Sequence, residues 1–141
     1  MEIVINYWAV LGATVVSVVL GALWYGPLFG KKWIALSGLT QESLDAQKKK
    51  GMAKSYFFMI VGSFVMSYVL AHALIFASTF TQTSGVFAGA MVGFWNWLGF
   101  IAPVTMATVL WEGKSWKLWF LNNAYYLISL KLMGILLAVW A

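Results

Sequence analysis

The sequence predicts an all-α membrane protein: one domain, residues 1–141, with four transmembrane helices. Three observations lead there. Hydrophobic residues make up 62% of the 141 residues, against about 45–50% in soluble domains. Charged residues make up 9%, against about 25%. Four apolar stretches each exceed the ~20 residues that a helix needs to cross ~30 Å of hydrocarbon. A chain this short is mostly surface and cannot hide that much apolar area from water. Soluble enzymes, nucleic-acid modules and disordered linkers are excluded on that ground.

The spans are expected at about residues 3–25, 55–79, 85–110 and 116–140. Backbone groups in lipid must be satisfied within their own segment, so each span reads as a helix. The alternating ten-residue strands of a membrane barrel are absent. The first span stops at Gly26-Pro27. It is read as a retained helix, because it starts beside the acidic Glu2 and lacks the small-x-small cleavage site of a signal peptide.

The connections carry the charge. All nine basic residues are Lys, and the net charge is +5. Loop 30–54 holds Lys31, Lys32, Lys48, Lys49, Lys50 and Lys54, and Lys114 and Lys117 flank the connection at 111–115. The connection at 80–84 and the tail have none. The positive-inside rule then makes loops 30–54 and 111–115 cytoplasmic, with both termini outside. Without Arg, the residue suited to bidentate phosphate and base reading, a nucleic-acid partner is not expected. The lysines are expected to meet membrane lipid headgroups. No Cys is present, which removes disulfides and thiolate chemistry.

Within the long loop a short helix is expected over 40–50. Thr40 caps it, Glu42 and Asp45 come early, Lys48 to Lys50 come late, and Gly51 closes it. Asp45 and Lys49 stand as an i,i+4 pair. Trp33, Ile34, Leu36 and Leu39 are placed at headgroup level. Gly30-Lys31-Lys32-Trp33 after span one matches Gly113-Lys114-Ser115-Trp116 after span three. The chain therefore also reads as two parallel-repeat hairpins, unless Lys and Trp recur simply because interfaces favour them.

Four helices each place a polar residue at one depth, about 12–15 Å below the outer surface: Thr14, His72, Asn96 and Lys131. Lys131 is the sharpest of these, since a lysine in hydrocarbon costs about 2.5–3.5 kcal/mol on insertion scales. Three readings stay open for it: snorkelling to the surface, a contact that fixes helix packing, or a ligand or proton role in a pocket. His72 is the only histidine, so bis-histidine haem and a His-rich metal site are excluded within one chain. It is expected to bond to a neighbouring helix or to relay protons. Trp95 and Trp97, beside Asn96, are candidates for lining a pocket. Asn122 and Asn123 are expected to bond across to other helices.

Gly85, Gly89 and Gly93 form a small-xxx-small stripe for close helix approach, in the bundle or in a homodimer. Pro103 is expected to kink the same helix. Glu112 is expected in a rim ion pair with Lys114. No acidic residue lies at mid-membrane, and no phosphate loop or nucleophile triad is identifiable. No enzyme activity, cofactor or metal is therefore expected.

The stretches Leu23-Trp24-Tyr25-Gly26-Pro27-Leu28-Phe29-Gly30-Lys31-Lys32-Trp33, Ser37-Gly38-Leu39-Thr40, Gly99-Phe100-Ile101-Ala102-Pro103, Trp111-Glu112-Gly113-Lys114-Ser115 and Leu121-Asn122-Asn123-Ala124-Tyr125 stand out together. The chain resembles the DUF1761 family of small integral membrane proteins, whose function is unassigned. The resemblance implies four membrane helices and supplies no catalytic residues. Two functional readings remain: a structural or accessory membrane component that self-associates or binds other membrane proteins, and a small oligomeric channel or transporter with Lys131, His72 and Asn96 in an outer pocket.

Overall fold

Asn6 opens the first helix. Its side-chain oxygen accepts from the Trp8 and Ala9 N–H groups at 3.1 and 3.2 Å, satisfying two donors that a helix start leaves free. The computed structural model describes residues 3–140; Glu2, read above as the acidic start of span one, lies outside them. Helix α1 (Tyr7–Leu23) runs into a π turn at Trp24–Leu28. The cause is Pro27, which has no N–H to return to the preceding turn. The Phe29 N–H instead reaches the Trp24 carbonyl at 2.8 Å, and Gly26 takes a non-helical φ of −108° and ψ of −106°.

Helix α2 (Gly30–Ser37) restarts at once. A Cβ at Gly30 would lie 2.6 Å from the Tyr25 carbonyl oxygen, so only glycine lets the chain turn here. Gly38 ends α2 in the left-handed region at φ 76°. Helix α3 (Gln41–Lys50) is the expected loop helix. The Thr40 hydroxyl accepts from the Ser43 N–H, and the Thr40 N–H donates back to the Ser43 hydroxyl, both at 3.1 Å. This is a reciprocal cap. Asp45, paired with Lys49 in the sequence reading, accepts from Gln41 Nε2 at 3.1 Å.

Helix α4 (Ala53–Thr81) spans 29 residues, about 43 Å at 1.5 Å per residue. That exceeds the ~30 Å hydrocarbon core. A short turn leads to α5 (Gly85–Asn96), a second π turn at Trp97–Ile101, α6 (Ala102–Thr105) and α7 (Ala107–Leu110). The kink follows from Pro103, as expected: the Ala102 N–H reaches back five residues to the Trp97 carbonyl. Ser115 caps α8 (Trp116–Val139), accepting from the Leu118 N–H at 3.2 Å. Four helical segments are long and apolar enough to cross a membrane: Tyr7–Leu28, Ala53–Thr81, Gly85–Leu110 and Trp116–Val139. No strand occurs among the described residues.

The long helices form a ring in the order α1, α4, α5, α8, with α4 and α8 also touching across the middle. Val10 and Met133 are fully enclosed, with Ala13, Leu70, Ala88, Val92 and Leu137 around them. The α5–α8 pair is the closest. A Cβ on Gly89 would strike the Gly134 carbonyl, and one on Gly93 would lie 2.5 Å from the Leu130 carbonyl oxygen. Small residues let these backbones meet. Gly85 acts differently from the other two glycines of the stripe. It stands at φ 69° with open space around it, at the start of α5. The two Gly-Lys motifs likewise differ locally. Gly30 begins a helix, whereas Gly113 takes φ 74° in the turn before α8.

Candidate functional site

The polar interior is built around Asn123, which is 2% exposed on α8. Its side-chain oxygen accepts from Trp97 Nε1 at 3.1 Å. Its amide donates to the Trp119 carbonyl and to Thr105 Oγ1, both at 3.0 Å. Thr105 Oγ1 also accepts from Trp119 Nε1 at 3.1 Å and donates to the Ile101 carbonyl at 2.7 Å. Both N–H donors and the oxygen of the amide are engaged. The Ile101 carbonyl belongs to the π turn that Pro103 creates, so this knot secures the kink to α8.

A second seam joins α1 to α8. The Tyr125 hydroxyl donates to the Ser17 carbonyl at 2.9 Å, and Ser129 Oγ donates to Ser17 Oγ at 3.2 Å. Trp24 Nε1 donates to the Leu121 carbonyl at 3.2 Å, and the Tyr25 hydroxyl to Asn122 Oδ1 at 2.7 Å. Both kinked spans thus send the indole of the first π-turn residue, Trp24 or Trp97, to α8. At the far end, Asn6 Nδ2 donates to the Trp140 carbonyl at 2.7 Å. Ser67 of α4 donates to the Val10 carbonyl at 2.9 Å. Among the described residues, every buried side-chain nitrogen and oxygen has a partner.

The residues singled out in the sequence fall around this interior rather than in one cluster. Lys131 is half-buried at the α5–α8 contact, its Nζ 5.9 Å from the centre of the Phe94 ring. This is a cation–π distance. His72 was expected to bond across to another helix. It turns back along its own, with Nδ1 2.9 Å from the Tyr68 carbonyl and the ring edge against the Tyr68 ring. Asn96 does the same, donating to the Val92 carbonyl at 2.8 Å, and Thr14 donates to Val10 at 2.8 Å. Within hydrocarbon the preceding carbonyl is always in reach, so such side chains need no second helix. Trp95 is 58% exposed, whereas Trp97 belongs to the Asn123 knot. Pro103 itself is exposed, and Lys114, expected beside Glu112, donates to the Ser37 carbonyl at 3.2 Å.

Asn123 was legible as a bridge between helices. Thr105 was not: a single Thr in an apolar helix gives no signal by itself. The usable sign was the Trp119–Asn123 spacing of one turn, which presents two donors on one face of α8.

Two of the grooves that flank the bundle bear on these residues. One, of about 520 Å³, lies where the start of α1 meets α4 and the last turns of α8, beside Asn6, Ala71, Leu74 and Leu137. The other, of about 340 Å³, runs between α4 and the second π turn, lined by Val65, Met66 and Val69 on one side and Asn96, Phe100 and Ile101 on the other. Among the described residues no group of three or more His, Asp or Glu side chains is placed to hold a metal ion.

Comparison with known proteins is brief. The family described as "Protein of unknown function (DUF1761)" matches residues 8–138. No curated protein and no solved structure matches the chain. Over nearly its whole length, π turns and polar interior included, the chain belongs to the DUF1761 family.

Proposed function

We propose that the protein is a small accessory component of a membrane, a four-helix unit that binds other membrane components and catalyses no reaction. One observation carries this reading. The interior polar groups are consumed by one another, in the Asn123 knot and the Ser17–Tyr125 seam. A transport path uses polar groups to exchange with a solute; here they join helices. Large apolar side chains instead face outward, among them Phe57, Phe58, Phe87 and Phe100, and offer surface to lipid or to neighbouring membrane proteins. Homo-oligomers and hetero-complexes are both within this reading.

The proposed orientation puts the lysine-bearing loops in the cytoplasm and both termini outside. The native chain has no Cys, so single cysteines can report it. A membrane-impermeant maleimide applied to intact cells is expected to label Ser84→Cys and to spare Ser37→Cys and Ser115→Cys. The opposite pattern would reverse the topology. For the role itself, purified protein in liposomes is expected to pass neither protons nor small anions. A flux that Lys131→Leu abolishes would replace the accessory reading with the transport reading.

A further inference from the structure

The inner part of α4 stands away from the bundle. Every residue from Ala53 to Gly62 is exposed, and Ser63 is the first buried one. Gly62 and, on the facing π turn, Gly99 have no atom within 4 Å of where a Cβ would be. Next along α4 comes the groove of Val65, Met66 and Val69 against Asn96, Phe100 and Ile101, and this open stretch leads to it.

Helix geometry ties this groove to a charge. Residues 54, 58, 61, 65 and 69 of α4 fall within about 60° of one line along the helix, at 100° per residue. The stripe therefore reads Lys54, Phe58, Val61, Val65, Val69, and its apolar members are all exposed, Phe58 at 60% and Val65 at 52%. From Lys54 to Val65 is about 16 Å at 1.5 Å per residue, about half of the ~30 Å hydrocarbon core. An ammonium at headgroup level thus stands one leaflet-depth from an apolar groove, on one continuous face.

We propose that this face binds one anionic glycerophospholipid of the lysine-side leaflet. Its phosphate sits at Lys54, and one acyl chain runs along Phe58 and Val61 into the groove. Charge complementarity selects this occupant. Lys48, Lys49 and Lys50 end the preceding helix and add to the same field. A second copy is disfavoured by the same lysines. Two copies inserted in one orientation and related by a two-fold axis through α4 would set Lys54 against Lys54. The inference does not rest on the accessory role, since it concerns the isolated chain.

The test is native mass spectrometry of the purified full-length protein, titrated with phosphatidylglycerol or phosphatidylcholine of identical chains. One bound phosphatidylglycerol is expected, retained about fivefold better than phosphatidylcholine, as one lysine at a membrane surface would give. Lys54→Gln, on an exposed turn, is expected to remove most of that preference, leaving only what Lys48 to Lys50 contribute. Val65→Trp, which fills the groove, is expected to lower retention of both, and Val69→Trp serves if the first variant melts abnormally. Equal retention of the two lipids by the native chain overturns the proposal. So does unchanged selectivity in Lys54→Gln, or a lipid-free dimer that Val65→Trp dissociates. None of these results alters the flux experiment above.

Discussion

Helices α4 and α8 face each other across the bundle and differ in an instructive way. Of the four spans, α4 has the most apolar window and α8 the least, yet 22% of that window is buried in α4 and 39% in α8. In water the order would be reversed, because burial follows hydrophobicity. In lipid the acyl chains solvate Leu and Phe as well as a protein interior does, so apolarity gives helices no reason to associate. What brings α8 inside is its small and polar residues. Gly134 meets Gly89 backbone to backbone, Asn123 holds the kinked third span, and Ser129 reaches Ser17. The first ten residues of α4, Ala53 to Gly62, rich in Phe, Met, Ile and Val, are all exposed.

The same substitution in the two regions is the strongest way to break this contrast. Gly89→Leu drives a side chain into the Gly134 backbone. A destabilisation of about 3 kcal/mol or more is expected, since neither backbone can give way. Thermal melting followed by circular dichroism in detergent measures it, and a melting curve like that of the native chain would refute the close approach. Asn123→Leu leaves Trp97 Nε1 without its acceptor, takes a donor from Thr105 Oγ1 and from the Trp119 carbonyl, and frees the kink. The expected cost is about 1–2 kcal/mol, the upper range for polar contacts between membrane helices. A double-mutant cycle with Thr105→Val, showing coupling between the two, would sharpen the assignment.

Asn6→Ala removes the cap of α1 and the tie to the Trp140 carbonyl, at an expected cost of about 1 kcal/mol. Faster hydrogen exchange confined to the first turn of α1 is the local readout. Smallest of all, Gly62→Leu on the exposed face of α4 is expected to change stability by no more than about 0.5 kcal/mol. If it destabilised the protein as much as Gly89→Leu does, α4 would be packed on a partner over its first ten residues, and the contrast would fail.

Much of the local structure could be read from residues. Thr40 and Gly51 bound the loop helix because a hydroxyl and a glycine supply what helix ends lack. Pro103 announces its kink, since no tertiary contact can restore a missing N–H. The Gly89–Gly93 stripe announces a close approach, and leaves open whether the partner is α8 or another copy. The direction of each polar side chain was less accessible. His72, Asn96 and Lys131 share a depth, which rise per residue supplies. Rotation about each helix axis decides whether they converge, and only packing sets rotation.

The sequence by itself therefore determined the apolar helical character of the spans, their number and the positions of their proline breaks. Each of these is decided within one segment, by transfer free energy and backbone hydrogen bonding. The tertiary structure alone decided which faces meet. It put Gly89 on Gly134, brought Thr105 to Asn123, and left Ala53 to Gly62 of α4 uncovered. Those outcomes depend on shape and hydrogen-bond fit between segments distant in the chain, and hydropathy is blind to both.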